Sequence, residues 1–140
     1  MSPDDPHLLF RHPSRRVLRV PLRDFLGDLA KRVARGRIVT CLITGDAELR
    51  RLNRLFRGKN YATDVLSFPP DEIAISLDRA AAQAKELGHS LDTELRILML
   101  HGVLHLCGMD HERDSGEMRR AETRWRKRLG LPAGLIERAQ

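Results

Sequence analysis

HGVLHLCGMDH, residues 101–111, places three histidines and one glycine in a spacing that indicates both a local structure and a chemistry. His101 and His105 are four residues apart, so on an α-helix they lie about 40° apart around the axis and about 6 Å apart along it. Gly108 is suited to the left-handed backbone conformation that ends a helix, and the turn it allows brings His111 towards the same point. The stretch therefore predicts a helix, its end, and a metal site of three imidazole nitrogens. Three protein ligands leave a fourth position for water, which is typical of catalytic zinc.

The same spacing leaves other interpretations to be weighed. The simplest alternative is that no metal binds here. In that case His101 and His105 are ordinary polar residues on a helix face, and His111 is an unrelated loop residue. Metzincin proteases share H-x-x-x-H-x-x-G-x-x-H, but a glutamate general base follows their first histidine. Here that residue is Gly102, so peptide hydrolysis by that route loses a contribution on the order of 10²- to 10⁴-fold. Cys107 would lie about 200° around the helix from His105, so we expect a small buried hydrophobic residue rather than a ligand.

The pattern of apolar residues predicts the fold class. Amphipathic spacing predicts helices between and after the strands, and Ser90 caps a fourth helix that carries the first two histidines. A fifth, highly charged helix begins after Asp114 or Ser115. The order βαβαββααα predicts an α+β fold, with a small mixed four-stranded sheet packed with about five helices and the metal site at the end of the fourth helix. The four strands are predicted at Arg16–Val20, Ile38–Thr44, Val65–Phe68 and Ile73–Ser76.

Length and composition limit the class of protein. With 140 residues, we expect a single domain over residues 1–140, of which residues 1–6 form a flexible tail. Cys41 and Cys107 are too few for a disulfide framework and indicate reduced thiols. The amino terminus lacks the features of a signal peptide, and no segment approaches the roughly 20 apolar residues that span a bilayer. We therefore expect a cytoplasmic protein with no membrane contact.

The charge favours an anionic partner. The formal net charge is +6 and arginine outnumbers lysine 21 to 4, and the guanidinium group matches the geometry of phosphate. This indicates nucleic acid, although an arginine-rich composition is equally compatible with a GC-rich genome. Aromatic residues are only 4% of the chain, which gives little support for a surface on which bases stack.

A second stretch, LNRLFRGKNYATDVLSFP at residues 52–69, identifies a resemblance. Together with the histidine stretch it resembles the YbeY family, bacterial endoribonucleases that mature ribosomal RNA, and the similarity extends from about Arg16 to Leu131. The resemblance implies one zinc ion bound by His101, His105 and His111. It also implies cleavage of single-stranded RNA, maturation of the 3′ end of the 16S rRNA precursor and a part in ribosome quality control. The partners it implies are this RNA and the small ribosomal subunit or its proteins.

The resemblance also assigns the catalytic arginine to Arg57. This residue lies at the predicted end of a helix beside Gly58 and Lys59, from where a guanidinium group can bind a phosphate through two hydrogen bonds. The sequence alone is equally compatible with a cation that interacts with the helix dipole. The resemblance favours the role in substrate binding.

Several other polar residues are weaker candidates, because each has an ordinary structural explanation. We expect Glu94 to act at the start of the fourth helix, since it lies about 10.5 Å along the axis from His101. The others flank the third strand or precede the last histidine, where turns and caps are typical: Thr63, Asp64, Ser67 and Asp110.

The reaction itself has two candidate nucleophiles, a metal-activated water and the RNA 2′-hydroxyl. A ribosome-assembly factor whose metal only holds the fold is the alternative from another functional class.

Overall fold

A computed structural model describes residues 7–138 of the chain, and the predicted tail at residues 1–6 lies outside them. The elements follow the predicted order, with one short additional helix at the end. They are β1 Leu8–Phe10, α1 Arg19–Arg32, β2 Thr40–Thr44, α2 Asp46–Arg57, β3 Val65–Phe68, β4 Glu72–Ser76, α3 Leu77–Leu87, α4 Leu91–Leu106, α5 Glu117–Arg128 and α6 Leu135–Arg138.

The four strands form one mixed sheet in the order β1-β2-β4-β3. β1 pairs with β2 and β2 with β4 in parallel, whereas β3 and β4 are antiparallel neighbours. The predicted α+β class with a small mixed four-stranded sheet is therefore confirmed, with six described helices where about five were predicted. None of the helices between residues 7 and 138 has the length and apolar character needed to cross a membrane.

The strand predicted at Arg16–Val20 is wrong. The first strand lies earlier, at Leu8–Phe10, and helix α1 begins at Arg19. The Leu18 side chain is 73% exposed, so the apolar residues of this segment do not form a buried strand face. Pro21 lies in the first turn of α1, where its missing N–H removes no helical hydrogen bond.

The two faces of the sheet carry different helices. Alternate residues of a strand point to opposite faces. Ile73 and Ile75 of β4 belong to the main core together with α1, α3 and α4, whereas Ala74 packs with Leu49 of α2 and Leu66 of β3. Helix α2 therefore covers one face, and α4 lies at the centre of the other.

Helix α4 is buried almost all round, which a helix tolerates only when it is enclosed by other elements. Its first turn holds Glu94, whose side chain is fully buried. This carboxylate accepts hydrogen bonds from Gln83, His89 and both terminal nitrogens of Arg138. Burial alone would raise the pKa of Glu94, but these donors hold it below its usual range. Glu94 thus ties α3, α4 and α6 together.

Candidate metal centre

The middle of α4 is fixed against the sheet at Gly102. A Cβ added there would lie 3.0 Å from Cγ2 of Ile73 and 3.4 Å from Cγ2 of Val65. The hydroxyl group of Ser67 in β3 donates to the Gly102 carbonyl oxygen over 3.1 Å. Because helix and sheet meet so closely here, the backbone that carries His101 is held in a defined position.

The turn after α4 brings the third histidine back, as the sequence predicts. Gly108 has φ +88°, and its N–H donates to the His105 carbonyl oxygen over 2.9 Å. The ring centroid of His111 then lies 5.5 Å from those of both His101 and His105. The glycine therefore performs the reversal that the spacing implies.

The three imidazole rings offer nitrogens that converge. The Nε2 atoms of His101 and His105 are 3.1 Å apart, and the candidate ligand atoms of all three histidines lie within 4.8 Å of one another. Two nitrogens on a tetrahedral zinc ion are separated by about 3.3 Å, given Zn–N bonds of about 2.0–2.1 Å. Among residues 7–138 no fourth histidine, cysteine or carboxylate belongs to this group.

Hydrogen bonds on the far side of two rings select the tautomer that a metal requires. Nδ1 of His101 donates to Oε2 of Glu122 over 2.9 Å, and Nδ1 of His105 donates to the Met109 carbonyl oxygen over 2.9 Å. With the proton on Nδ1, each Nε2 presents a lone pair, and two lone pairs at this separation repel unless a cation lies between them. The donor set therefore fits a divalent cation.

The protonation state of His105 favours ligation as well. Burial and the neighbouring His101 ring lower the pKa of His105, with a smaller contribution from His111. The neutral imidazole is the form that binds metal. This ring is consequently available as a ligand at neutral pH.

The family is decided by comparison with known proteins. A protein-family model described as Endoribonuclease YbeY matches residues 22–130 of the chain. A Solibacter usitatus protein of the same name is 56% identical over 144 residues, which cover 99% of this chain and 98% of the relative. The chain belongs to the endoribonuclease YbeY family. The sequence-based prediction of this family and of an enzyme is confirmed by that membership.

Further YbeY relatives and one solved structure agree with the assignment. The Koribacter versatilis Endoribonuclease YbeY is 60% identical over 106 residues, covering 71% of this chain and 70% of the relative. A Helicobacter pylori protein of that name is 42% identical over 123 residues, covering 82% and 88%. The solution structure of a Thermotoga maritima protein matches with a TM-score of 0.57 at 25% identity and covers 88% of this chain and 89% of that one.

Arg57 of this YbeY-family chain lies where the sequence predicts, in the last turn of α2. Its side chain is exposed and forms no hydrogen bond or ion pair with any other residue in 7–138. Gly58 follows with φ +69° and ends the helix. The guanidinium group is therefore free to bind an anion, although the histidines and Arg57 are carried by helices on opposite faces of the sheet.

The weaker candidates have structural contacts. The Asp110 carboxylate accepts from the N–H of Glu112 within the turn, and that of Asp64 accepts from the N–H of Val65 at the start of β3. Ser67 anchors α4 through Gly102, as described above. Thr63 is partly buried, two residues before β3 begins.

The expectation that Cys107 is a buried residue is wrong. It is exposed rather than buried, because the helix ends at Leu106 and Cys107 is the cap, with φ −79° and ψ 8°. Its Sγ lies 3.6 Å from the Val33 carbonyl oxygen and 3.6 Å from a terminal nitrogen of Arg37. It does not belong to the histidine group, and that Cys107 does not bind the metal stays a prediction.

Glu122 is the residue near the site that sequence reasoning missed. It is buried on α5, where its Oε2 accepts from His101 and its Oε1 accepts from the backbone N–H of Ile136 over 3.0 Å. Gly134 makes room for it, because a Cβ there would collide with the carboxyl group. The only sequence signal is a carboxylate at helical spacing from the apolar residues of α5.

We expect Glu122→Gln to weaken binding of the predicted zinc ion by about 10- to 100-fold, the usual effect of losing such a partner of a metal-binding histidine. The two carboxylate oxygens of Glu122 accept hydrogen bonds from two N–H groups. Glutamine has only one side-chain oxygen, so one of these N–H groups loses its acceptor. Competition with a chromophoric chelator measures the affinity, and Glu86→Gln on the exposed face of α3 is the matched control. Wild-type affinity in Glu122→Gln would show that the contact does not orient His101.

Proposed function

We propose that this chain is a zinc-dependent endoribonuclease specific for single-stranded RNA, which matures the 3′ end of the 16S rRNA precursor and acts in ribosome quality control. The observation that carries the proposal is the convergence of three imidazole nitrogens, two of them with Nδ1 held by an acceptor. Family membership supplies the class of reaction, since its relatives are named endoribonucleases.

His101, His105 and His111 are the proposed ligands of one Zn²⁺ ion. Imidazole nitrogen is a preferred zinc donor, and three protein ligands are typical of catalytic sites. When bound, the ion supplies Lewis-acid activation of water and of a phosphoryl oxygen. Glu122 and the Met109 carbonyl oxygen hold two of the rings in the orientation that this site needs.

Arg57 is the proposed catalytic residue. Its guanidinium group is unpaired among the described residues and matches two oxygens of a phosphate. Negative charge increases on those oxygens as the new P–O bond forms and the bond to the leaving oxygen breaks. Arg57 thereby stabilises the transition state more than the ground state.

The attacking oxygen belongs either to water or to the RNA 2′-hydroxyl. The chemistry of the cleaved ends distinguishes the two, because a 2′,3′-cyclic phosphate arises only from attack by the 2′-hydroxyl.

The proposed partners are RNA and the small ribosomal subunit or its proteins, and the proposed location is the cytoplasm. The net charge of +6 favours association with a phosphate backbone and with a particle made largely of RNA. We propose that residues 1–140 act as one domain on the small ribosomal subunit or its proteins, in the cytoplasm where 16S rRNA is matured.

The test is cleavage of a 16S 3′-end precursor by wild-type protein and Arg57→Ala. We expect the variant to cleave about 10²-fold more slowly, the typical loss when one charge-stabilising donor is removed, with unchanged zinc content. Arg119→Ala, on the exposed side of α5, controls for the loss of one positive charge. Equal loss in both variants would mean that Arg57 contributes only net charge, and loss of zinc in Arg57→Ala would mean that it supports the fold of the site.

A further inference from the structure

Two exposed aromatic rings lie close together in sequence, although aromatic residues are rare in this chain. Phe56 is 66% exposed and Tyr61 is 54% exposed, and among residues 7–138 no other phenylalanine, tyrosine or tryptophan is an exposed side chain. Phe56 is in the last turn of α2, and Tyr61 lies in the loop that follows. The low aromatic content of the whole chain does not show that the two exposed rings lie so close together in sequence.

The segment that carries these rings is strongly basic. Residues 49–63 contain five arginines or lysines and no acidic residue. The side chains of Arg54, Arg57 and Lys59 form no hydrogen bond or ion pair with another residue of the part of the chain that the structure describes. Unpaired cations beside exposed rings are typical of surfaces that bind single-stranded nucleic acid.

The Phe56 ring and the backbone of the loop that carries Tyr61 are held in place before any ligand binds. The Phe56 ring packs edge-on against Phe68 of β3, with centroids 5.3 Å apart and planes at 68°. The side-chain amide of the buried Asn53 donates to the Tyr61 carbonyl oxygen over 3.0 Å, which ties the loop to α2. Arg50 makes a second tie through the side chain of Asn60, also at 3.0 Å. Little conformational entropy remains to be lost when a base stacks there.

A short chain of contacts links this surface to the metal centre. Phe68, which supports Phe56, is the neighbour of Ser67, and Ser67 donates to the carbonyl oxygen of Gly102 on α4. Gly102 follows His101 directly. The ring surface and the first histidine of the metal centre are thus joined through neighbouring residues of β3 and α4.

We propose that Phe56 and Tyr61 form a stacking surface for bases of single-stranded RNA beside the scissile phosphate, with Arg54 and Lys59 binding the neighbouring phosphates. This inference rests on the proposed endoribonuclease function and names the part of the substrate that the surface binds. It also gives a physical reason for single-strand specificity, since bases in a duplex already stack on each other and offer no free face.

RNA fits this surface better than a protein partner does. Burying three cations that have no partner against an apolar protein surface would carry a large desolvation cost. Phosphates compensate for that cost, and the π-face of any base fits an exposed ring.

The test measures binding without cleavage. A fluorescent single-stranded RNA of about 12 nucleotides is titrated with wild-type protein, Phe56→Leu and Tyr61→Leu. The RNA is 2′-O-methylated throughout, which blocks attack by the 2′-hydroxyl, and a denaturing gel verifies that it is still of full length after the titration. Leucine preserves apolar packing but lacks a π-face. We expect each leucine substitution to raise Kd by about tenfold, because stacking on one base is lost. Tyr61→Phe keeps the ring and should stay near wild type, as should Ile38→Ala, which removes an exposed apolar side chain from the loop before β2. Thermal unfolding and zinc content should be unchanged in all four variants.

The results separate this inference from the proposed function. An unchanged Kd in both leucine variants would overturn the proposed stacking surface. Equal affinity of the wild-type protein for duplex and single-stranded RNA would overturn it as well. A loss of affinity for isolated small-subunit proteins, with RNA binding intact, would also overturn it and assign the rings to a protein interface. Wild-type protein that binds RNA but cleaves none would count against the nuclease and leave the stacking surface standing.

Discussion

Replacing His111 with alanine is expected to abolish zinc retention and to slow RNA cleavage on the order of 10³-fold or more. A metal ion contributes several kcal/mol to stabilisation of the transition state, and about 1.4 kcal/mol corresponds to a factor of ten in rate. Two histidines on α4 remain, but they cannot enclose the ion without the residue that the Gly108 turn supplies. Elemental analysis after dialysis and single-turnover cleavage measure the two effects.

Glu112→Ala is the control for His111→Ala, because it alters the exposed neighbour in the same loop and should retain both zinc and activity. His111 lies outside the helices, so we expect His111→Ala to unfold at nearly the temperature of zinc-free wild-type protein, because a bound ion itself stabilises the folded state. Glu112→Ala should unfold at nearly the temperature of the zinc-loaded wild type. RNA cleavage that persists in zinc-free His111→Ala, purified free of contaminating nuclease, would contradict the catalytic role of the metal. Wild-type protein that retains zinc but cleaves no RNA would favour an assembly factor whose metal only supports the fold.

Replacing Gly102 with glutamate is expected to destabilise the protein by about 3 kcal/mol or more, because a larger side chain and an unpaired carboxylate would both be buried. The added Cβ already meets Ile73 and Val65 in β4 and β3. This substitution recreates the H-E-x-x-H sequence of zinc proteases. Urea denaturation measures the loss, and an unstructured peptide tests for hydrolysis.

The matched control for Gly102→Glu is Gly102→Ala. The Cβ of alanine requires a small shift of Ile73, which costs folding free energy. The higher helix propensity of alanine offsets about 1 kcal/mol of this cost. We expect stability near wild type and intact RNA cleavage. Wild-type stability in Gly102→Glu, with new hydrolysis of peptide, would instead show that the site accepts a protease-type base and that the peptidase alternative is viable.

The sequence predicted the histidine cluster because its geometry is local. Two ligands share one helix, and a single glycine accounts for the approach of the third. Val65–Phe68 was also placed correctly, because a β-branched and apolar run bounded by turn residues has few alternatives. The first strand was misplaced because Leu8–Phe10 is defined by pairing with β2, more than thirty residues away, which no local pattern reports.

Other features were not predicted because they depend on where a helix ends, on tertiary packing or on local exposure. Cys107 was expected on the buried side of an ideal helix, but helical geometry ends one residue earlier. Glu122 contacts His101 across twenty-one residues of sequence, so only the packing of α5 on α4 identifies it. The exposed rings of Phe56 and Tyr61 could not be predicted from a composition averaged over the chain.

Zinc-edge X-ray absorption of the purified protein tests the metal centre most directly, because it counts the atoms bound to the ion. We expect three imidazole nitrogens at about 2.0–2.1 Å and one oxygen from solvent, with the same spectrum in a Cys107→Ser variant, since Cys107 lies outside the histidine group. A sulfur ligand at about 2.3 Å, or outer-shell scattering from a fourth imidazole ring, would contradict a catalytic site of three histidines with an open position.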